Sequence, residues 1–255
     1  MSFRKTIILV FFAHIFLPAI GQNKDSLHRE LKKAKSVVKK AKILEQLVDA
    51  WGITQMDSAD HYLDIQIKLL SDYSKKSGLT KKTAVILAEA LMRKSYILQS
   101  YDKTNEALQI LKNALAIVKT HNELRLMNGV GNNLAFSYSA RGQLDSSKYY
   151  YTFANQCAEK MKDSAALALG LTNQANVEVE LGNNLEAEKQ ILRAIEIYKR
   201  LENKESIFGT YLIAAQMYDG MGNIKLSLDY YYKCLAIAEE TKSDRNLTAI
   251  YNDIG

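Results

Sequence analysis

The sequence predicts an all-α fold, a right-handed solenoid of antiparallel helix hairpins. Three observations lead there. The only proline is Pro18, so residues 19–255 lack the strongest helix breaker. Composition is that of a globular chain, 47% hydrophobic and 24% charged over 255 residues, enough to bury a sizeable core. Small, apolar and turn-forming residues recur at a step of forty, the signature of a repeat architecture.

The first residues stand apart. Arg4 and Lys5 form a short basic start, and Thr6 to Leu17 is an uninterrupted apolar run. That run has the length of a signal-peptide core and is shorter than the ~20 residues a membrane-spanning helix needs. Small residues follow at Ala19 and Gly21. Residues 1–22 therefore read as a secretory signal, which predicts an exported protein, periplasmic or membrane-associated. An uncleaved anchor or a buried N-terminal strand is the alternative. No later segment is apolar enough to cross a membrane.

Between Lys24 and Lys42 eight Lys/Arg face only Asp25 and Glu30, within a net charge of +6. Such a run could touch nucleic acid or anionic lipid, but Leu27, Leu31, Ala34, Val38 and Ala41 interleave at helical spacing, so the solvated face of an amphipathic N-terminal cap is the better reading. No aromatic residues interleave for base stacking, so nucleic acid is not an expected partner, and a membrane is expected to be met only through the signal segment or a helix beyond residue 255. Asp25–Lys35 is the expected cap helix. Lys39–Gly52 and Ser58–Ser77 form a looser hairpin, with Ala59, Leu63 and Ile67 facing inward. The step from Ala59 to Ala107 is not forty, which places an irregular turn at Gly78–Lys82. Residues 23–82 thus form a cap and irregular hairpin before the regular array.

That array divides into 83–122, 123–162, 163–202 and 203–243, with a partial unit at 244–255. Gly142, Gly182 and Gly222 mark the step, and Asp102 shares their column. Small residues recur at Ser95, Ala135, Ala175, Ala215 and Gly255, at Ala107, Ser147, Ala187 and Ser227, and at Ala114, Ala154, Ala194 and Cys234. Leu111, Tyr151, Ile191 and Tyr231 form an apolar column. Leu98, Tyr138 and Tyr218 form a bulky one, broken by Glu178. Small residues on facing helices let backbones approach, and large apolar ones fill the remaining volume. The glycines end each first helix in the left-handed conformation. Asp145, Asn184 and Asn223 are expected to cap the second helices, and Asn122, Asp163, Asn203 and Asp244 to supply the turns between hairpins.

These residues resemble the tetratricopeptide repeat. The segments Asn133-Leu134-Ala135-x-x-Tyr138-x-x-x-Gly142 and Ala215-x-x-Tyr218-x-x-x-Gly222 carry the likeness, which covers about Thr83 to Gly255. The family's step is about 34 residues; a step of forty predicts longer helices, and the family's closing proline is absent. The resemblance implies a concave groove lined by first helices that receives a protein or peptide. Its lining carries over to Met92, Tyr96 and Gln99, to Asn132, Phe136 and Ser139, to Thr172, Asn176 and Val179, and to Leu212, Gln216 and Asp219. Asparagine and glutamine amides there can hydrogen-bond an extended backbone. The lining holds no Lys or Arg, so a lysine clamp for a terminal carboxylate is not expected.

No chemistry-bearing constellation appears. His14, His28, His61 and His121 lie at no metal-ligand spacing, and Gly129-Val130-Gly131 lacks the strand and third glycine of a phosphate loop. No metal, cofactor or catalytic residue is expected, and any enzyme would lie beyond residue 255. Cys157 and Cys234 read as small buried hydrophobes, with a bridge as the lesser alternative. Tyr149-Tyr150-Tyr151 and Tyr230-Tyr231-Tyr232 should each send one ring inward, because consecutive helical residues point in different directions. The chain stops partway through a first helix and reads as a fragment. Two functions stay open: a protein-binding scaffold on the exported side of a bacterial membrane, or the N-terminal input region, resembling that of bacterial sensor kinases and regulators, of a larger signalling protein.

Overall fold

A computed structural model describes residues 24–52, 55–243, 246–248 and 250. The signal segment, Asp244 and Gly255 lie outside the described residues. The described residues form eleven helices and no strand. In chain order these are α1 (Lys24–Lys33), α2 (Val37–Trp51), α3 (Met56–Ser77), α4 (Lys81–Ser100), α5 (Thr104–Thr120), α6 (Leu124–Ser139), α7 (Leu144–Met161), α8 (Ser164–Glu180), α9 (Asn184–Arg200), α10 (Lys204–Gly220) and α11 (Ile224–Glu240). The even-numbered helices from α2 are the first helices of the hairpins. The chain divides into two compact units, residues 1–140 and 141–255.

The first unit opens with the cap. Leu27 and Ala34 pack on Ile43, Leu44 and Leu47 of α2, which is the predicted inward stripe. The α2–α3 hairpin closes around Val48, Ala59 and Leu63, with Ala90 and Ile97 of α4 in the same cluster. Helix α3 has 22 residues and α4 has 20, against 17 and 16 in α5 and α6, and this excess breaks the forty-residue step. The turn is shorter than the sequence suggests: Gly78 is left-handed at φ 72°, and Lys81 and Lys82 already belong to α4. Thr80 and Thr83 bond reciprocally to close the start of α4. Along the unit the first helices pack in series, α2 on α4 and α4 on α6.

In the second unit α7 packs on α8, α8 pairs with α9, α9 packs on α10, and α10 pairs with α11. Ala175, Ala187, Ile191, Ala215 and Cys234 are fully or nearly fully buried in one cluster, so the predicted small and apolar columns face one another. Ile250 packs there too. Both cysteines are buried and unbridged. Of the tyrosine triplets, Tyr151 turns inward and Tyr149 outward, as expected. The other triplet differs. Tyr230 and Tyr231 are both buried and only Tyr232 is exposed, because Tyr230 stacks on Tyr218 of α10 at 5.7 Å between ring centroids.

Turns follow a finer rule than the predicted one. Left-handed residues fall at 102, 122, 142, 162, 182, 202, 222 and 242, every twenty positions. Between hairpins the left-handed residue is thus Asn122, Lys162, Glu202 or Lys242. The residues expected to supply those turns, Asp163 and Asn203, instead cap α8 and α10, accepting from Ala166 and Ser206 at 2.9 and 3.0 Å. Asn223 caps α11 as predicted. Asp145 does not cap; it lies in the first turn of α7, where a negative charge suits the helix dipole. Asn184 does not cap either, being the first residue of α9 after Asn183. Helices of 16–18 residues from α5 onward, with turns of two to four residues, account for the long step.

Left-handed backbone favours glycine over a residue with Cβ by roughly 1 kcal/mol. Glu202→Gly should therefore raise stability by about 0.5–1 kcal/mol. Gly182→Ala should lower it by about 1 kcal/mol, although an added Cβ there meets no atom within 4 Å. Urea unfolding followed by circular dichroism checks both signs.

Candidate functional site

In the first unit, α4 and α6 pack directly and bring six of the expected lining residues together. Their approach is close. A Cβ on Gly129 would stand 2.9 Å from the terminal methyl of Met92, so any side chain there would require that flexible thioether to shift. Tyr96, Gln99, Phe136 and Ser139 are half-buried and present an edge to solvent. Asn132 is 3% exposed; its amide points back to Asn128 at 3.4 Å, so it belongs to packing more than to an open surface.

The second unit repeats the arrangement on α8 and α10. Asn176, Val179, Leu212 and Gln216 are half-buried and Asp219 is exposed. Thr172 is drawn inside, donating to the Ala168 carbonyl at 3.0 Å and lying 3.2 Å from the Thr210 hydroxyl. That contact joins the two first helices.

Charge enters the first-helix face where the sequence columns show none. Arg93, beside Met92, reaches back to α2, with Asp49 at 2.6 Å and Glu45 at 3.6 Å. Arg125 of α6 reaches Glu89 of α4 at 2.6 Å. Burial pushes the carboxyls of Glu45 and Asp49 up from their usual range, and Arg93 opposes that shift as the smaller effect. These pairs are separated by 44, 48 and 36 residues. They sit in no forty-residue column, so column reading could not find them.

Glu178, the residue that interrupts the bulky column, is fully buried. Lys148 of α7 stands 2.9 and 3.1 Å from its two oxygens, and Asn183 donates to it at 2.8 Å. The next hairpin fills the equivalent slot with Tyr218, whose hydroxyl donates to Glu188 of α9. Both pairs span thirty residues. One slot thus holds either a carboxylate facing a lysine or a phenol facing a carboxylate. Burial, foremost, raises the ionisation of Tyr218, and it raises that of Tyr198 to about 12, so both hydroxyls remain protonated donors at neutral pH.

Other polar groups have local duties. His121 lies 3.1 and 3.2 Å from the Ile117 and Leu79 carbonyls, and His28 lies 3.2 Å from the Tyr62 hydroxyl. Among the described residues no group of three or more His, Cys, Asp or Glu side chains could hold a metal ion. Among them, too, no helix is long and apolar enough to cross a membrane.

Removing one side of a buried charge pair strands the other. Lys148→Leu should cost about 2–3 kcal/mol, because Glu178 then keeps only Asn183. Adding Glu178→Tyr should recover most of the loss by recreating the apolar pairing that residues 108 and 138 have in sequence. A double-mutant cycle in urea reads this, and additive losses would contradict the assignment.

No family profile matches the chain, and no curated protein does. Solved structures do. Aspartyl phosphate phosphatase F from Bacillus subtilis superposes with a TM-score of 0.70 at 16% identity, over 96% of this chain and 64% of that one. A putative kinesin light chain of nearly identical TPR-like repeats from Podospora anserina gives 0.60 at 14% identity, over 87% and 99%. A signal-transduction ATPase with a tetratricopeptide repeat sensor from Pyrococcus horikoshii gives 0.62 at 14%, over 90% of this chain and 39% of that one. Hairpins of consecutive packed helices, small facing columns, glycine-marked turns and these superpositions together make the chain an all-α repeat protein of the tetratricopeptide-like fold.

Proposed function

We propose that this chain is a non-catalytic scaffold that holds a protein or peptide against its first helices, on the exported side of a bacterial membrane. The observation that carries the reading is the half-buried row on directly packed first helices, Tyr96 and Gln99 beside Phe136 and Ser139 in one unit, Asn176 beside Gln216 in the other. Half-buried aromatic and amide groups suit an extended chain: the rings cover apolar side chains and the amides bond backbone groups. Export is supported by the apolar run at Thr6–Leu17 behind Arg4 and Lys5. Phe136→Ala combined with Asn176→Ala should lower partner capture at least about tenfold and leave helicity unchanged. Pull-down with circular dichroism on the same preparation measures both, and undiminished capture would remove the groove from consideration.

A second reading places the chain as the sensory input region of a larger signalling protein, a histidine kinase or transcriptional regulator. Its support is the superposition on a signal-transduction ATPase that carries a repeat sensor, of which this chain matches 39%. Under that reading the reading frame continues past Gly255 into an output domain. A capping helix with a polar outer face followed directly by a stop codon would oppose it.

A further inference from the structure

The first unit segregates its charge by edge. Successive antiparallel helices bring the α1–α2, α3–α4 and α5–α6 turns to one edge. Two contacts tie those turns together: His121 lies 3.2 Å from the Leu79 carbonyl, and Lys81 pairs with Glu123 at 2.6 Å. Lys42 joins them by lining a cleft with Lys81 and Lys82. Around the first turn Lys32, Lys33, Lys35 and Lys39 are exposed; around the second Lys75, Lys76, Lys81 and Lys82 are. The opposite edge is richer in acid, with Asp57, Asp102 and Glu106 beside Lys103 and with Asp49 paired to Arg93, and the Tyr101 hydroxyl donates to Asp57 across it.

Folding does not explain the basic edge. A helix N-terminus favours negative charge, and α3, α5, α7 and α9 follow that rule with Asp57, Glu106, Asp145 and Glu186 in their first turns. Helices α2, α4, α6, α8 and α11 carry no acid there, and in α2 and α4 pairs of lysines, Lys39 and Lys40, then Lys81 and Lys82, stand in the first turn. These lysines repel the helix ends that bear them, and only Lys81 has an ion-pair partner among the described residues. Exposed lysines at two helix N-termini leave this edge with an excess of positive charge facing solvent, which attracts a polyanionic surface.

The shape of the edge selects the counterion. Between the cations lies a cleft of about 530 Å³ lined by Val85 and Ile86, by Lys42, Lys81 and Lys82, and by Glu45 and Glu89, whose carboxylates are already engaged by Arg93 and Arg125. The exposed tyrosine of this unit, Tyr101, is on the acidic edge, so no exposed ring stands among the lysines to stack on a base. Lysines around an apolar recess match the headgroup level of an anionic bilayer, where phosphates meet the first methylenes. We propose that this inter-hairpin edge of the first unit docks on an anionic lipid surface, turning the acidic edge away from it. This goes beyond partner capture by the first helices and uses different residues.

The test is sedimentation of the full chain with vesicles of 30% phosphatidylglycerol in phosphatidylcholine, against vesicles of phosphatidylcholine alone. Arg4 and Lys5 give the apolar N-terminal run its own preference for anionic vesicles, but that contribution is common to parent and variant and cancels when the two are compared. Binding should be stronger to the anionic vesicles and should weaken steeply between 50 and 500 mM salt. Lys39→Glu with Lys82→Glu should reduce the anionic component at least about tenfold. The same variant should melt at an equal or higher temperature, because the new carboxylates suit both helix N-termini. A merely structural role for these lysines would lower the melting temperature instead. Equal binding to both vesicles, or a variant that binds as the parent does, overturns the proposal. So does binding of a poly(U) 20-mer with the same lysine dependence when vesicles are ignored, which would assign the edge to nucleic acid.

Discussion

Every twenty residues from Asp102 to Lys242 the backbone passes once through the left-handed region, and the rest of the structure depends on that rhythm. At most of these points the residue after the left-handed one donates to a carbonyl five positions back, as Lys103 does to Leu98 and Asn203 to Tyr198. That bond closes the last turn of the helix and reverses the chain in three residues. Because reversals are evenly spaced, each helix presents the same face to its neighbours as the one forty residues earlier. Ala187 and Cys234 meet large residues only because Gly182 and Gly222 set their helices in register. Where glycine is missing, as at Lys162 and Glu202, the capping bonds hold the conformation against the cost of a Cβ.

Most of this rhythm could be read from residue types. Glycine, small and bulky columns each reflect a packing demand that recurs identically, so they repeat in sequence. The hairpins, the inward tyrosine at 151 and the amphipathic cap were visible for that reason. The turn at Asn122 was placed correctly, but those at Asp163 and Asn203 were misplaced by one residue, because a left-handed lysine or glutamate has no sequence mark, whereas the capping residue beside it does. Lengths before Thr83 were obscured because α3 departs from the repeat.

The candidate site was legible only where it follows a column. Tyr96, Phe136 and Asn176 lie on the first-helix faces, while Asn132 and Thr172 share the column but are taken into packing by neighbours the column does not describe. Glu178 looked like an interruption because its partner, Lys148, belongs to the preceding helix and to a different column. The Arg93 and Arg125 pairs escaped for the same reason. Periodicity exposes what every repeat must do alike, and it hides whatever one repeat does alone.

The twenty-residue spacing also fixes how such a chain can change. A helix turns about 100° per residue, so one residue inserted within α9 would swing Ile191 and its neighbours off the buried face and misalign everything after it. Adding forty residues would restore every face and every reversal. Deletions and duplications are therefore tolerated in whole hairpins and punished singly, which makes the hairpin, and not the residue, the natural unit of growth for this protein.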